Sequence, residues 1–161
     1  MNGFSRDAEY TGHGFTLMEV VTVLVVVGIA AAVAVSRMSV MDSGQIGDLE
    51  KIKSHLRYAQ SKAMADSSIR WGIVFSGTTY SLFRNTNTDA VVDAGEKQVL
   101  PGESSNIVSL DSGLSVNAIV AFDWWGAPYS NANCVTPMTS GILSFSGGKT
   151  IVITPDTGFI P

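Results

Sequence analysis

The sequence predicts an α+β protein, with one long N-terminal helix, apolar in its first half and amphipathic in its second, packed on an antiparallel β-sheet head. Three observations lead there. Leu17 to Val35 is apolar apart from Glu19 and Thr22. Apolar residues then recur at steps of three and four between Leu49 and Ala63. Beyond Ser67 the chain breaks into short apolar runs separated by Gly, Asn, Asp, Ser and Pro. At 161 residues there is room for one modest core. Hydrophobic residues reach 45% with a mean hydropathy of +0.25, and the excess is concentrated in the first apolar run.

Taking the elements in order, Leu17 to Val35 as a helix of about 19 residues rises roughly 28 Å, close to a ~30 Å hydrocarbon core. A buried core helix is disfavoured by that length, and a secretory signal peptide by its usual apolar core of only about 7–15 residues. Met41 to Asp48 holds Gly44, Gly47 and two acids able to cap a helix, so a kink or break is expected there. Leu49, Ile52, Leu56, Ala59 and Ala63 then form one apolar stripe, with Glu50, Lys51, Lys53, Arg57 and Lys62 on the other face. His55 falls at the edge of the stripe and reads as a surface residue. Strands are expected near Arg70 to Phe75, Thr79 to Arg84, Asn106 to Leu110, Leu114 to Phe122, Gly141 to Phe145 and Thr150 to Ile153. Ser76-Gly77-Thr78 and Ser146-Gly147-Gly148-Lys149 are the hairpin turns, and Pro155 to Gly158 is a turn before Phe159-Ile160.

Charge and composition exclude several functions. From Trp71 onward three basic residues, Arg84, Lys97 and Lys149, face seven carboxylates. That is the wrong sign for a grip on phosphates, so a nucleic-acid partner is not expected. Cys134 is the only cysteine, which rules out an internal disulfide and reads as a small buried hydrophobe. His55 and Cys134 lie far apart in sequence, and neither a zinc ligand set, a phosphate-cradling loop nor a dinucleotide glycine pattern is present. Neither an enzyme nor a small-molecule substrate is expected.

Two local patterns stand out in the head. Asn85, Asn87, Asp89, Val91, Asp93 and Glu96 occupy offsets 1, 3, 5, 7, 9 and 12 of a calcium loop, with Val91 offering its carbonyl, so hard oxygen donors could wrap one Ca²⁺. Asn stands at the first offset and Ala90 where such loops turn on Gly, which leaves a solvated polar hairpin as the competing reading. Trp124 and Trp125, beside the Gly126-Ala127-Pro128 bend, are expected to pack on the sheet edge.

At the N-terminus, Gly12-His13-Gly14-Phe15-Thr16-Leu17-Met18-Glu19-Val20 and the valine-rich run after it resemble the processing signal of the type IV prepilins and type II secretion pseudopilins. The resemblance implies cleavage between Gly14 and Phe15 by a prepilin peptidase and methylation of the new Phe15 amine. Residues 1–14 would be a leader, 15–40 a membrane-spanning and filament-core helix, 41–68 its amphipathic continuation and 69–161 a periplasmic head. Glu19 reads in two compatible ways. Thr16-x-x-Glu19 fits a capping box. The resemblance adds an assembly role, in which Glu19 neutralises the Phe15 amine of a neighbouring subunit. The leader sets Arg6 and His13 against Asp7 and Glu9, so orientation in the membrane rests on the cleavage motif and not on charge bias.

Further along, Leu56 to Ala63, Trp71 to Phe75, Phe122-Asp123-x-x-Gly126-Ala127-Pro128 and Asp156 to Ile160 are similar to the H-type minor pseudopilins. The implied protein is a structural minor pilin or pseudopilin of a type II secretion pseudopilus or a type IV pilus. Its expected partners are the peptidase, other subunits of the filament and the bacterial inner membrane. The rival readings are a DNA-receptor pilin, which the segment Thr154 to Pro161, without Lys or Arg, does not favour, a major pilin, and a single-pass anchored periplasmic binding protein that never polymerises.

Overall fold

The computed structural model describes residues 16–161. It is an α+β structure with an antiparallel sheet, and it divides between Val40 and Met41 into two compact units. The long helix α1 runs Leu17–Ala65.

In the first unit, Thr16 opens α1: its carbonyl accepts from the Glu19 and Val20 N–H groups, and its Oγ1 accepts from the Glu19 N–H at 3.2 Å. Leu17 to Val33 presents apolar side chains around the whole helix, all of them exposed. Among the residues whose side chains are described, no helix is long and apolar enough to cross a membrane. Val35, which completes the apolar run, lies outside them, as do the leader residues and the Gly14–Phe15 junction.

The expected break at Met41 to Asp48 is not there. Those residues are helical, and Gly44 and Gly47 sit inside α1. Two interior glycines cost roughly 1 kcal/mol each against alanine, which flanking helical turns can carry.

In the second unit the rest of α1 lies against a six-stranded antiparallel sheet. The strands are β1 (Arg70–Ser76), β2 (Thr79–Asn85), β3 (Lys97–Gln98), β4 (Val108–Ser109), β5 (Ala118–Phe122) and β6 (Pro128–Tyr129), ordered β3-β2-β1-β5-β6 with β4 also paired to β2. A separate hairpin joins β7 (Ile142–Ser144) to β8 (Thr150–Val152). The helical stripe does what its spacing predicts: Ile52, Leu56, Ala59 and Ala63 are fully buried and Leu49 partly so. They pack on the residues that the strand alternation turns toward them, Ile73 and Phe75 of β1, Tyr80 and Leu82 of β2, and Val120 and Phe122 of β5. Leu114, Ile151, Ile153 and Ile160 close the core.

The opposite sheet face holds a smaller cluster in which Phe83 packs with Ala121 and Ala132, flanked by Val74, Tyr129 and Cys134. Gly72 makes that packing possible. A Cβ there would stand 2.7 Å from the Phe83 ring and 2.4 Å from the Val120 carbonyl, so the central strand must be bare where Phe83 crosses it.

Candidate functional site

Gly14 and Phe15, the expected processing residues, lie outside the described residues. Glu19 is in the first turn of α1, and only half of the expected capping box forms: Thr16 caps the Glu19 N–H, while the Glu19 carboxylate has no partner among the described residues. The acid therefore stands exposed at the start of an apolar helix.

The calcium-like segment folds as the connection from β2 toward β3. Asn85 is buried; its amide donates to the Asp89 carbonyl at 2.8 Å and its Oδ1 accepts from the Thr88 N–H at 2.7 Å. Asn87, Asp89 and Asp93 come together, with the Asn87 amide donating to both carboxylates at 2.9 and 3.1 Å. Val91 is exposed and its N–H is held by Asp89. Glu96 is buried and committed elsewhere: Oε1 accepts from the Thr86 N–H at 2.8 Å and Oε2 from the Asp93 N–H at 3.1 Å. Burial pushes the Glu96 carboxyl up, but the backbone N–H groups of Thr86, Asp93 and Asn87 outweigh it and hold the group below its ordinary range. Among the described residues no group of three acidic, histidine or cysteine side chains is disposed to hold a metal ion. What this segment does as it stands is brace a loop from inside.

His55 is buried, 6% exposed, and is not the surface residue its position on the helix suggests. Its Nδ1 lies 2.8 Å from the Tyr80 hydroxyl. Burial lowers the His55 pKa, with Glu103 and Lys51 pulling in opposite directions. Burial likewise raises the Tyr80 pKa, so the pair is neutral at ordinary pH. The stripe is wider than a strict three-four pattern because the histidine carries a polar handle with a partner waiting on β2.

Trp124 and Trp125 do not pack on the sheet edge: they are 56% and 77% exposed. The reason is the turn they occupy. The Gly126 N–H bonds the Asp123 carbonyl at 3.0 Å, which puts both tryptophans at the central positions of a β-turn between β5 and β6. Asp123 locks it, Oδ1 accepting from the Trp125 and Ala127 N–H groups at 2.9 Å each and Oδ2 from the Tyr129 hydroxyl at 3.3 Å. A cleft of about 210 Å³ opens beside this turn, lined by Ser67, Arg70, Asp123, both tryptophans and Tyr129. Cys134 lines it as well, half-buried, its thiol pushed up to about 12 by burial and so inert as a nucleophile at neutral pH.

Sequence reasoning missed the junction that organises this end of the head. The Gln60 amide donates to the carbonyls of Gly126, Thr157 and Gly158 at 2.9, 3.1 and 3.1 Å, and the Arg57 guanidinium donates to the Ile160 carbonyl at 3.1 and 3.2 Å. Three of the four segments on which the H-type resemblance rests thus converge on two helix residues. No protein-family model, no curated protein and no solved structure matches this chain.

Proposed function

We propose that this chain is a structural filament subunit of the type IV pilin or pseudopilin kind, anchored by its apolar helix and assembled through it. One observation carries the reading. Thr16 to Val33 is helical from Leu17, apolar on every side and exposed on every side, with one acid, Glu19, at its start that has no partner among the described residues. A helix apolar all round has no stable place in water and belongs in lipid or in a bundle of like helices. A lone carboxylate in such surroundings costs several kcal/mol unless a cation meets it. The N-terminal amine of a neighbouring subunit, freed by cleavage after Gly14, would supply one such cation per subunit. The H-type minor pseudopilin is the narrower form of the proposal, supported by the convergence of the Leu56 to Ala63, Gly126 and Gly158 segments.

From Trp71 onward seven carboxylates stand against three basic residues, which argues against a DNA receptor. Mass spectrometry of the membrane-resident protein tests the reading: the expected amino terminus is a methylated Phe15. A terminus at Met1, or one downstream of the valine run, would overturn it.

A further inference from the structure

The cleft beside the tryptophan turn is unexplained by an anchor-and-bundle role. Its size is informative. Small-molecule pockets run about 300–1,000 Å³, whereas this one, at about 210 Å³, matches the space one anchoring side chain fills at a protein interface. Its composition points the same way: Trp, Tyr and Arg are the residues that dominate binding energy in such interfaces, and here they are Trp124, Trp125, Tyr129 and Arg70.

Exposed tryptophans on a mobile loop would lose much of their binding advantage to ordering. These are on a turn already fixed by Asp123, whose oxygens accept from Trp125, Ala127 and Tyr129. The patch extends past the cleft. Met64 lies against Gly126, and Phe159 adjoins Gly158 where it meets Gly126; both side chains are more than half exposed. An apolar rim of this kind on a folded head marks an interaction site.

Charge then selects the partner. The Arg70 guanidinium has no hydrogen bond and no ion pair among the described residues. Asp123, the acid in the same cleft, is occupied by its own turn. The cleft's free hydrogen-bonding group is therefore the Arg70 guanidinium, a donor left open to a partner's acceptor.

We propose that this cleft and its rim dock the head of a neighbouring filament subunit, taking one apolar side chain between Trp124, Trp125 and Tyr129 and setting a partner carboxylate against Arg70. The kind of partner rests on the filament reading; the surface itself does not.

The test uses the full chain in its own membrane, with photoreactive benzoyl-phenylalanine in place of Trp125, and in a second strain in place of Val23 on the apolar helix. The expected adduct at position 125 is a protein that itself begins with an apolar N-terminal helix, and the joined peptide carries Asp or Glu beside an apolar residue. Arg70→Glu should cut that adduct about tenfold, the equivalent of one 1.4 kcal/mol contact, and Lys in place of the partner carboxylate should restore it. Arg70→Gln, with an unchanged melting temperature, separates the charge from any folding defect. A position-125 adduct confined to glycan, lipid or a non-filament protein, or one insensitive to Arg70→Glu, overturns the proposal. Adducts from position 23 without any from position 125 overturn the docking surface and leave the filament reading standing. Failure at both positions removes the two together.

Discussion

Gln60 and Gly158 meet where no side chain could fit between them. The Gln60 Nε2 donates to the Gly158 carbonyl at 3.1 Å, and a Cβ placed on Gly158 would stand 2.5 Å from that nitrogen and 2.0 Å from the Gly126 carbonyl. Gly158 also holds φ at +63°, a conformation that L side chains avoid. The contact ties the helix to both the β5–β6 turn and the C-terminal segment, so two loops depend on one amide.

Gly158→Ala should therefore destabilise the head by at least about 2 kcal/mol, since it combines backbone strain with a collision against backbone. Gln60→Leu should cost roughly 1–3 kcal/mol by leaving part-buried carbonyls unpaired. Urea unfolding of the full chain in detergent measures both. Because the two changes break one junction, the double variant should lose clearly less than the sum of the singles. Additive losses would show that the two residues act independently.

How much of this was legible in the sequence depends on what sets each feature. The stripe Ile52, Leu56, Ala59 and Ala63 was legible because helix period and burial coincide there, and β1, β2, β5, β7 and β8 because alternating or apolar runs between turn residues leave few other choices. β3 and β6, two residues each, are too short to carry a period; only their pairing with β2 and β5 makes them strands. The strand expected from Leu114 begins at Ala118 instead, because Leu114 turns into the core and the Ser115 and Val116 backbone bonds elsewhere, to Ser146 and Gly77. His55, Trp124 and Trp125 were misplaced for one reason. Whether a half-polar ring is inside or outside depends on a partner distant in sequence, Tyr80 in one case and the Asp123 lock in the other. Gln60 gave no warning, since a glutamine on a helix reads as solvated until its acceptors are known.

His55 makes stability sensitive to mild acid. Burial lowers its folded pKa below the ordinary 6.5, so the unfolded chain takes up a proton more readily than the folded one. The contribution is absent above about pH 6.5, where both states are neutral, and stability is lost as pH falls below it. The groups facing His55 are Tyr80, Glu103 and Lys51. Unfolding midpoints should drop between about pH 7 and pH 5.5 in the parent chain, and drop less in His55→Leu even though that variant starts lower for want of a partner to Tyr80. An equal drop in both would assign the acid sensitivity to other groups.

Glu96 should matter through its backbone bonds and not through an ion. Its depressed pKa means that its contribution is present above the ordinary carboxylate range and disappears as pH falls through the folded value. Glu96→Ala should cost about 1–3 kcal/mol, since two part-buried N–H groups lose a charged acceptor, and Glu96→Gln less, because one carbonyl oxygen remains. With both Glu96 oxygens already engaged by Thr86 and Asp93, the twelfth ligand of a calcium loop is not free. The melting temperature should be the same in calcium and in chelator. A calcium-dependent rise, abolished by Asp89→Asn or Asp93→Asn, would mean that the Asn87 cluster binds the ion by releasing its present bonds.

Glu19 offers the separation between capping and assembly. Thr16 Oγ1 satisfies the Glu19 N–H, while the Glu19 carboxylate makes no hydrogen bond or ion pair among the described residues. Thr16→Val removes the cap, costing about 0.5–2 kcal/mol of helix stability; on the proposed membrane anchoring, lipid would hold the helix in any case and filament incorporation should stay close to normal. Glu19→Gln keeps the backbone, the volume and the polarity while removing only the charge. If that charge meets a neighbour's amine in low dielectric, losing it strands a buried cation, worth about 3–5 kcal/mol. Incorporation into sheared or crosslinked filaments should then fall more than tenfold, while cleavage after Gly14 and the amount of membrane-inserted subunit stay unchanged. Normal incorporation of Glu19→Gln, or equal defects in the two variants, would reduce Glu19 to a helix-end acid.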